Sequence, residues 1–450
     1  MKLDVVSKVK RQTQTYKRFS TFNVPDVEVF LSEIVRPQLA NSKWVIRDVL
    51  PVTDAQALDI KQSVSAPRTS LQYTTMIFDK GIDSDKLHAA CEQLVSTHDI
   101  LRTVFVEHNS TYYQAVLETM DDIVVNKQVE GDLKQQITDT CTADIEEEFV
   151  LGSAFAKIMH VKSSDGQEGL VFRLSHAQYD GVSLPALLAD LETLYRGGKI
   201  SSEPFATYVS ATLQPSVQKK SLTYWENLLT GSSLSSLGTS THDAGKGLFK
   251  SSPVDISTKP SDTTTSTILT AAWSLVLARR LQTTDIIFGG VTSGRNIPTL
   301  PTADAIMGPC YNITPIRIPL SASQDIASLL RNIATQTANS SSHDFIGYSA
   351  IAAAAGWDTA PNAYYGSIVH HQGDEDDVDT MPFAGRECAI DAIKPHGDSP
   401  SPMKIVSFVK GGKTHLGVVG SEKEEKFVES VLEDLVRAFG QVCQGGVVQV

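Results

Sequence analysis

Cysteine is scarce in this sequence. Five occur in 450 residues (Cys91, Cys141, Cys310, Cys388 and Cys443), widely spaced, odd in number and without a C-x-x-C pair. That pattern excludes a disulfide framework and a structural zinc ribbon, and it predicts a reduced, cytoplasmic setting. No run approaches about 18 uninterrupted apolar residues, so neither a membrane span nor a membrane partner is expected. The opening MKLDVVSKVKRQTQTYKRF has charges every few residues and lacks the apolar stretch of a secretory leader. Basic charge is in deficit. With 39 Lys and Arg against 52 Asp and Glu, the net charge is −13, which argues against nucleic acid, because phosphate contacts need a basic surplus. A Walker loop, a dinucleotide fingerprint, a G-x-S-x-G elbow and short repeats are also missing, which disfavours P-loop and Rossmann cofactors, an α/β-hydrolase thioesterase and a solenoid.

What remains is an ordinary globular composition, 41% hydrophobic and 20% charged, with enough apolar material for a sizeable core. Residues 1–24 read as a linker or basic arm carrying Lys2, Lys8, Lys10, Arg11, Lys17 and Arg18. A helix is predicted from Pro25 to Leu39, with Asp26 near its start and Val29, Phe30, Ile34 and Val35 on one face. Another runs from Asp83 to Val95, followed by strand-like TVFVE and YYQAVL. Two β-rich runs, Phe155–Lys162 and Gly169–Ser175, are joined through Asp165-Gly166, a hairpin signal. A strong helix follows, capped by Ser183, with Leu184, Leu187, Leu188, Leu191 and Leu194 as its stripe and Gly197-Gly198 at its end.

The stretch Ser201–Ser266 is rich in Ser, Thr, Gly and Lys, with one helical island at Tyr224–Leu229. The boundary between two halves is expected there, giving lobes over 25–205 and 206–450. The second half repeats the style of the first. It has helices at Ile268–Leu281, Ile326–Ala334 and Glu424–Phe439, and strands at Asp285–Val291, Ile313–Ile318, Tyr364–His370 and Lys404–Phe408. Two mixed α/β halves fit this order better than three independent domains.

The sharpest chemical constellation is Arg173-Leu174-Ser175-His176-Ala177-Gln178-Tyr179-Asp180-Gly181. His176 follows a predicted buried strand, where a side chain reaches a cleft. Asp180 lies four residues on, in a turn, and Gly181 permits a conformation or close approach that a side chain forbids. An imidazole titrating near neutrality can take a proton from an amine or hydroxyl nucleophile. A nearby carboxylate can fix the loop through an arginine. The pattern H-x-x-x-D-G is short and also suits a histidine satisfied at a strand end with an Asp capping a turn. The strand–loop–helix setting favours the chemical reading. By contrast, His370-His371-Gln372-Gly373-Asp374-Glu375-Asp376-Asp377 reads as an exposed loop, because adjacent strand histidines point to opposite faces. No metal site is expected. Trp273 reads as helix core.

With Pro51-Val52-Thr53 and Gln56, His98–Phe105, Tyr224-Trp225, Ser293-Gly294-Arg295, Gly308–Asn312 and His343-Asp344 in order around the Ser175–Gly181 segment, the chain from about Ile46 to Phe439 resembles the condensation domains of nonribosomal peptide synthetases, built on the chloramphenicol acetyltransferase fold. The matches run in the family's order. Pro51, Thr53 and Gln56 resemble its Pro-x-Thr-x-x-Gln motif, and His98-Asp99-Ile100-Leu101-Arg102-Thr103-Val104-Phe105 its His-Glu-x-Leu-Arg-Thr-x-Phe motif. Ser175–Gly181 is similar to its active-site motif and Tyr224-Trp225 to its Tyr-Trp helix. Ser293-Gly294-Arg295 with Gly308-Pro309-Cys310-Tyr311-Asn312, and then His343-Asp344, match the later elements. The family usually has two histidines in the active-site motif, and here the first is Ser175. That Ser-His form resembles the terminal condensation-like domains of fungal assembly lines, such as fumiquinazoline-type synthetases, which release peptides by macrocyclisation. Thr97 stands where amide-forming members often carry arginine, and the chain stops soon after its last helix, as a terminal domain would. The Asp-Phe-Gly-Trp-Gly segment of plant-type acyltransferases is missing.

The resemblance implies an α/β, mixed α+β fold of two acetyltransferase-like lobes forming a V with a central tunnel. It implies His176 as base or orienter of the attacking amine. Asp180 would be structural, paired with Arg102 or Arg295. Gly181 would keep the tunnel open for a pantetheine arm, with its N–H able to help an oxyanion. Asn312 would hydrogen-bond in the cleft. Ser175 would bind substrate or simply fill the place of the missing imidazole. The domain itself would bind no cofactor, and 4'-phosphopantetheine would arrive on an upstream peptidyl carrier (thiolation) domain bearing the peptidyl thioester. A monomer is expected. The alternatives are an ordinary two-carrier condensation domain, a silent docking module that recruits a tailoring enzyme, and an epimerase of the same fold.

Overall fold

A computed structural model describes residues 16–22, 24–78, 81–238, 245–321, 323–357, 364–373 and 380–448. Two six-stranded sheets organise them. Across the first sheet the strands run Thr380–Phe383, Arg386–Ile393, Leu71–Phe78, Glu168–Ser175, Lys157–Ser163 and Val124–Val129. Lys157–Ser163 and Glu168–Ser175 form the expected hairpin, and Gly166 supplies the positive φ (86°) of its turn. Leu170, Phe172 and Leu174 pack with Leu87 and Leu191, from the helices Ser84–Thr97 and Ser183–Tyr195. Val171 on the opposite face meets Ile137 and Cys141 of the helix Leu133–Glu146. A strand covered on both faces reads as a continuous apolar run, and Gly169–Ser175 is buried throughout.

The second sheet runs Asn312–Pro319, Asp285–Thr292, Ser367–His371, Met403–Lys410, Lys413–Ser421 and Gly247–Pro253. The two pairings of Ser367–His371 are parallel. The helices Thr265–Leu281 and Glu425–Gln444 pack on this sheet. Every residue from Ile268 to Ala278 is buried, Trp273 included, as expected of a helix apolar on all sides.

Several elements depart from the sequence reading. The hairpin Thr380–Phe383/Arg386–Ile393 lies in the second half of the chain, yet it adds to the first sheet, with Ile393 opposite Tyr73 and Ala389 opposite Ile77. Ser201–Ser266 holds two helices, Phe205–Thr212 and Pro215–Leu229, where only an island was expected. Pro215 sits at the start of the second, where its missing N–H costs nothing. Asp26 does cap the first helix, accepting from the Val29 N–H at 3.1 Å. Its pitch then changes, from α over Val27–Phe30 to π over Leu31–Val35 and 3-10 over Arg36–Gln38. The changed pitch breaks the expected stripe and leaves Val29 46% exposed. Of the linker, residues 1–15 lie outside the described residues. Tyr16 donates to Asp48 Oδ2 at 2.5 Å and the Phe19 N–H to Asp48 Oδ1 at 2.8 Å, so the chain is fastened before the first helix.

Candidate active site

The strand Glu168–Ser175 delivers its loop to the place where the two sheets' connections meet. Within Arg173–Asp180, His176 is the one residue that is only half-buried; the others are buried. Its N–H donates to Ser70 O at 3.0 Å, extending the strand pairing of Leu71 with Ser175 by one step. Its Nε2 lies 3.1 Å from the Tyr179 hydroxyl, and the rings stack with centroids 4.5 Å apart. Burial, then the ammonium groups of Lys394 and Lys404, push the imidazole down to about 3; Asp398 opposes them. Lys394 and Lys404 hold Asp398 at 3.2 and 3.4 Å and keep its carboxyl well below the usual range despite its burial. The ring is therefore neutral around pH 7, with a lone pair ready to accept a proton but little tendency to keep one.

Asp180 is 3% exposed and joins the two halves of the chain. Both its oxygens accept from Arg295 Nη2, at 2.9 and 2.8 Å. Oδ2 also accepts from the N–H groups of Cys310 (2.9 Å) and Tyr311 (3.2 Å). Oδ1 accepts from Val182 (3.1 Å) and Ser183 (2.8 Å), so Asp180 caps the helix Ser183–Tyr195 in place of the expected Ser183. Arg295 spends its other bonds on Ala303 O, Ile306 O and Gly308 O. Arg102, the other expected partner, instead binds Val95 O, Ser96 O, Glu118 O and Asp99. Before Arg295, Gly294 has φ 63°, and a Cβ there would lie 1.9 Å from Cys310 O, so this close approach admits only glycine.

The remaining predicted residues sit around this latch. Ser175 is fully buried, and its hydroxyl lies 2.8 Å from Ser63 Oγ and accepts from the Ala177 N–H at 3.0 Å. It faces inward and shapes the loop. Gly181 is exposed, in the turn before the helix. Asn312 is buried; its Nδ2 donates to Asp344 O (2.8 Å) and Ile346 O (2.7 Å), and its Oδ1 accepts from the Ile313 N–H. The amide expected in the cleft thus fastens a loop. On that loop, His343 stacks on Tyr224 at 4.4 Å, and its carbonyl accepts from Trp225 Nε1 at 3.0 Å. Burial pushes the Asp344 carboxyl up to about 7, and its Oδ1 has no hydrogen-bond partner.

Sequence reasoning assigned no role to several contributors. Gln56 Nε2 donates to Ala177 O at 3.0 Å, and Gln178 Nε2 to Ile100 O at 3.0 Å, so the two early motifs converge on the His176 loop. Tyr179 and Tyr311 lie inside matched motifs but were assigned no role, and Asp59 lies outside them. Two cavities, of about 150 and 420 Å³, lie beside Asp48 and Arg102 respectively, and His176 lines neither. Among the described residues, no group of three His, Cys, Asp or Glu side chains has a metal-holding arrangement, and no helix is long and apolar enough to cross a membrane. His371 Nδ1 lies 2.7 Å from Ser407 Oγ, while Asp374 to Asp377 lie outside the described residues.

Comparison with known proteins places this geometry. The family model described as Condensation domain matches residues 46–363. The chain is 46% identical over 440 residues to nonribosomal peptide synthetase sidD of Aspergillus fumigatus, covering 97% of this chain and 21% of the relative. It is 34% identical over 425 residues to nonribosomal peptide synthetase 1 of Ajellomyces capsulatus, covering 94% and 23%. The chain thus spans about a fifth of the length of these relatives. A solved structure described as "The crystal structure of CT" superposes with a TM-score of 0.82 at 23% identity, over 94% of this chain and 96% of that one. The condensation domain from Monacolin K polyketide synthase MokA gives 0.70 at 15% identity, over 89% and 99%. The mixed α/β fold is therefore the condensation-domain fold. Domains of this kind are acyltransferase-type, amide-forming enzymes that work on acyl groups carried by the phosphopantetheine arm of partner carrier domains. The chain belongs to the condensation-domain family, and its curated relatives are fungal nonribosomal peptide synthetases.

Proposed function

We propose that this domain releases a peptidyl thioester from an upstream carrier by intramolecular amide formation, closing a macrocycle. The observation that carries the reading is the Ser175-His176 pair. One neutral, part-exposed imidazole stands where the family usually has two histidines, and the serine beside it is turned into the protein. The threonine at 97 supports it, since it brings no cation where amide-forming members often carry arginine.

The chemistry asks little of the protein beyond placement. A thioester is already activated, so no covalent nucleophile is required. In the step, the peptide's own amine attacks the thioester carbonyl, the carbon–sulfur bond breaks, the pantetheine thiol leaves, and one proton passes from nitrogen towards sulfur. Good intramolecular placement supplies on the order of 7–11 kcal/mol, against roughly 10²–10⁴-fold from general base help. A ring as hard to protonate as His176 suits the lesser role of aligning the amine and relaying its proton. In this reading, Asp180 with Arg295 and Asn312 hold the frame, Gly181 leaves room for the pantetheine arm, and the two halves of the chain shelter the acyl group from water.

The test is to load a single carrier with a peptide thioester and analyse the product by mass spectrometry. A product one water lighter than the free peptide, made without a second carrier, supports release by cyclisation. Product that appears only with a second loaded carrier means ordinary condensation.

A further inference from the structure

Asp59 sits in the middle of the helix Asp54–Val64, and it is 5% exposed. A carboxylate buried within a helix is costly, and folds keep such groups where they do something. Its two oxygens point in different directions. Oδ1 accepts from Ser70 Oγ at 2.9 Å, and the carbonyl of the same Ser70 accepts the His176 N–H at 3.0 Å. Oδ2 accepts from the Tyr311 hydroxyl, and the Tyr311 N–H donates to Asp180 Oδ2 at 3.2 Å. The links therefore close a ring, from His176 to Ser70, Asp59, Tyr311 and Asp180, and back along the chain to His176. The ring joins the catalytic loop to the second half of the chain by a route separate from the Asp180–Arg295 pair.

We propose that Asp59 is a positioning residue for the transfer at His176, setting the loop through Ser70 and the opposing wall through Tyr311. The inference rests on the reading that His176 serves the acyl transfer. The groups facing Asp59 are Ser70, Tyr311, Tyr179, Tyr364 and Lys404, the last held by Asp398. Two hydroxyls donate to the carboxylate at once, and protonation would put an O–H on one oxygen, so that the bond there has to reverse. Burial pushes this carboxyl up to about 6 while Tyr311, Ser70 and Lys404 pull it down, so its ionisation falls within an accessible pH range.

The decisive variant is Asp59→Asn, which keeps the shape but accepts only through its single carbonyl oxygen. Release from a loaded carrier is expected to slow about 10- to 100-fold, the scale of a lost charge-assisted hydrogen bond or a slight misplacement. The wild-type rate is expected to fall as pH drops through about 6, and the variant to lose that acid limb. A purely structural Asp59 would lower the melting temperature and leave the pH profile unchanged in shape. An independent readout is the backbone amide resonance of His176 with selectively labelled histidine, which is expected to shift in Asp59→Asn. If Asp59→Asn fails to fold, Ser70→Ala cuts the same ring and is expected to move the same resonance. Should the wild type make no cyclic product, the release reading fails, and the resonance still decides this one. An unmoved His176 amide, or a variant that keeps its acid limb, overturns the proposal.

Discussion

Replacing Asp180 by alanine removes one carboxylate that accepts from five donors, Arg295 Nη2 and the N–H groups of Val182, Ser183, Cys310 and Tyr311, of which only Arg295 Nη2 and the Cys310 N–H keep another acceptor, Gly308 O. Breaking a buried ion pair by deleting one partner costs about 3–5 kcal/mol, because the surviving charge is left unpaired in the interior. Arg295 is buried and keeps three carbonyl partners, which soften the loss without neutralising the charge. For 450 residues at about 2.1 cal/mol/K each, the unfolding entropy is about 0.9 kcal/mol/K. The melting temperature should then fall by about 3–5 °C in a calorimetric scan of the domain. The double variant with Arg295→Met removes both charges. It should recover part of the loss, with a coupling of at least about 2 kcal/mol across the cycle. A single Asp180→Ala melting within about 1 °C of wild type, or strict additivity in the cycle, would refute the reasoning that this pair latches the halves.

Ser175→Ala should cost about 1–2 kcal/mol in denaturant unfolding, because Ser63 loses a buried partner and the Ala177 N–H loses its acceptor. Its KM for the loaded carrier should stay at the wild-type value, since the hydroxyl faces inward; a large rise in KM would show it touching substrate. Asp344 is a second pH-sensitive element of the frame, besides Asp59. Its folded carboxyl is raised to about 7, so the stability it contributes is present at low pH and lost as pH rises from the ordinary carboxylate range through about 7. Asp344→Asn should therefore be more stable than wild type by about 1–3 kcal/mol at pH 8, with the difference shrinking towards pH 5 in paired melting curves.

Local patterns made much of this legible. The leucine stripe of Ser183–Tyr195, the Asp165-Gly166 turn and the apolar Ile268–Ala278 run each state their structure within a few residues. The motif matches were informative for a further reason, since Gln56, Ile100 and Arg295 all bond to the His176–Asp180 loop. What stayed hidden were choices made by tertiary pairing. Nothing near Ile393 says that it will lie opposite Tyr73 in the first sheet. Arg102 and Arg295 are equivalent as cations, and only the folded chain turns the first to Asp99 and the second to Asp180. Asp59 gave no local signal, because its two partners, Ser70 and Tyr311, lie far apart in sequence. The pitch change after Phe30 was also beyond a reading that assumes uniform helices.

The most direct measurement is the partition of a single loaded carrier between cyclic and hydrolysed peptide, followed in one turnover with wild type and with His176→Ala. Placement by the folded halves with alignment by His176 predicts mainly cyclic product from wild type. The variant should give slower release by about 10²–10⁴-fold and a larger hydrolysed share. Equal rates and equal partition in the two proteins would contradict a role for the imidazole in ring closure.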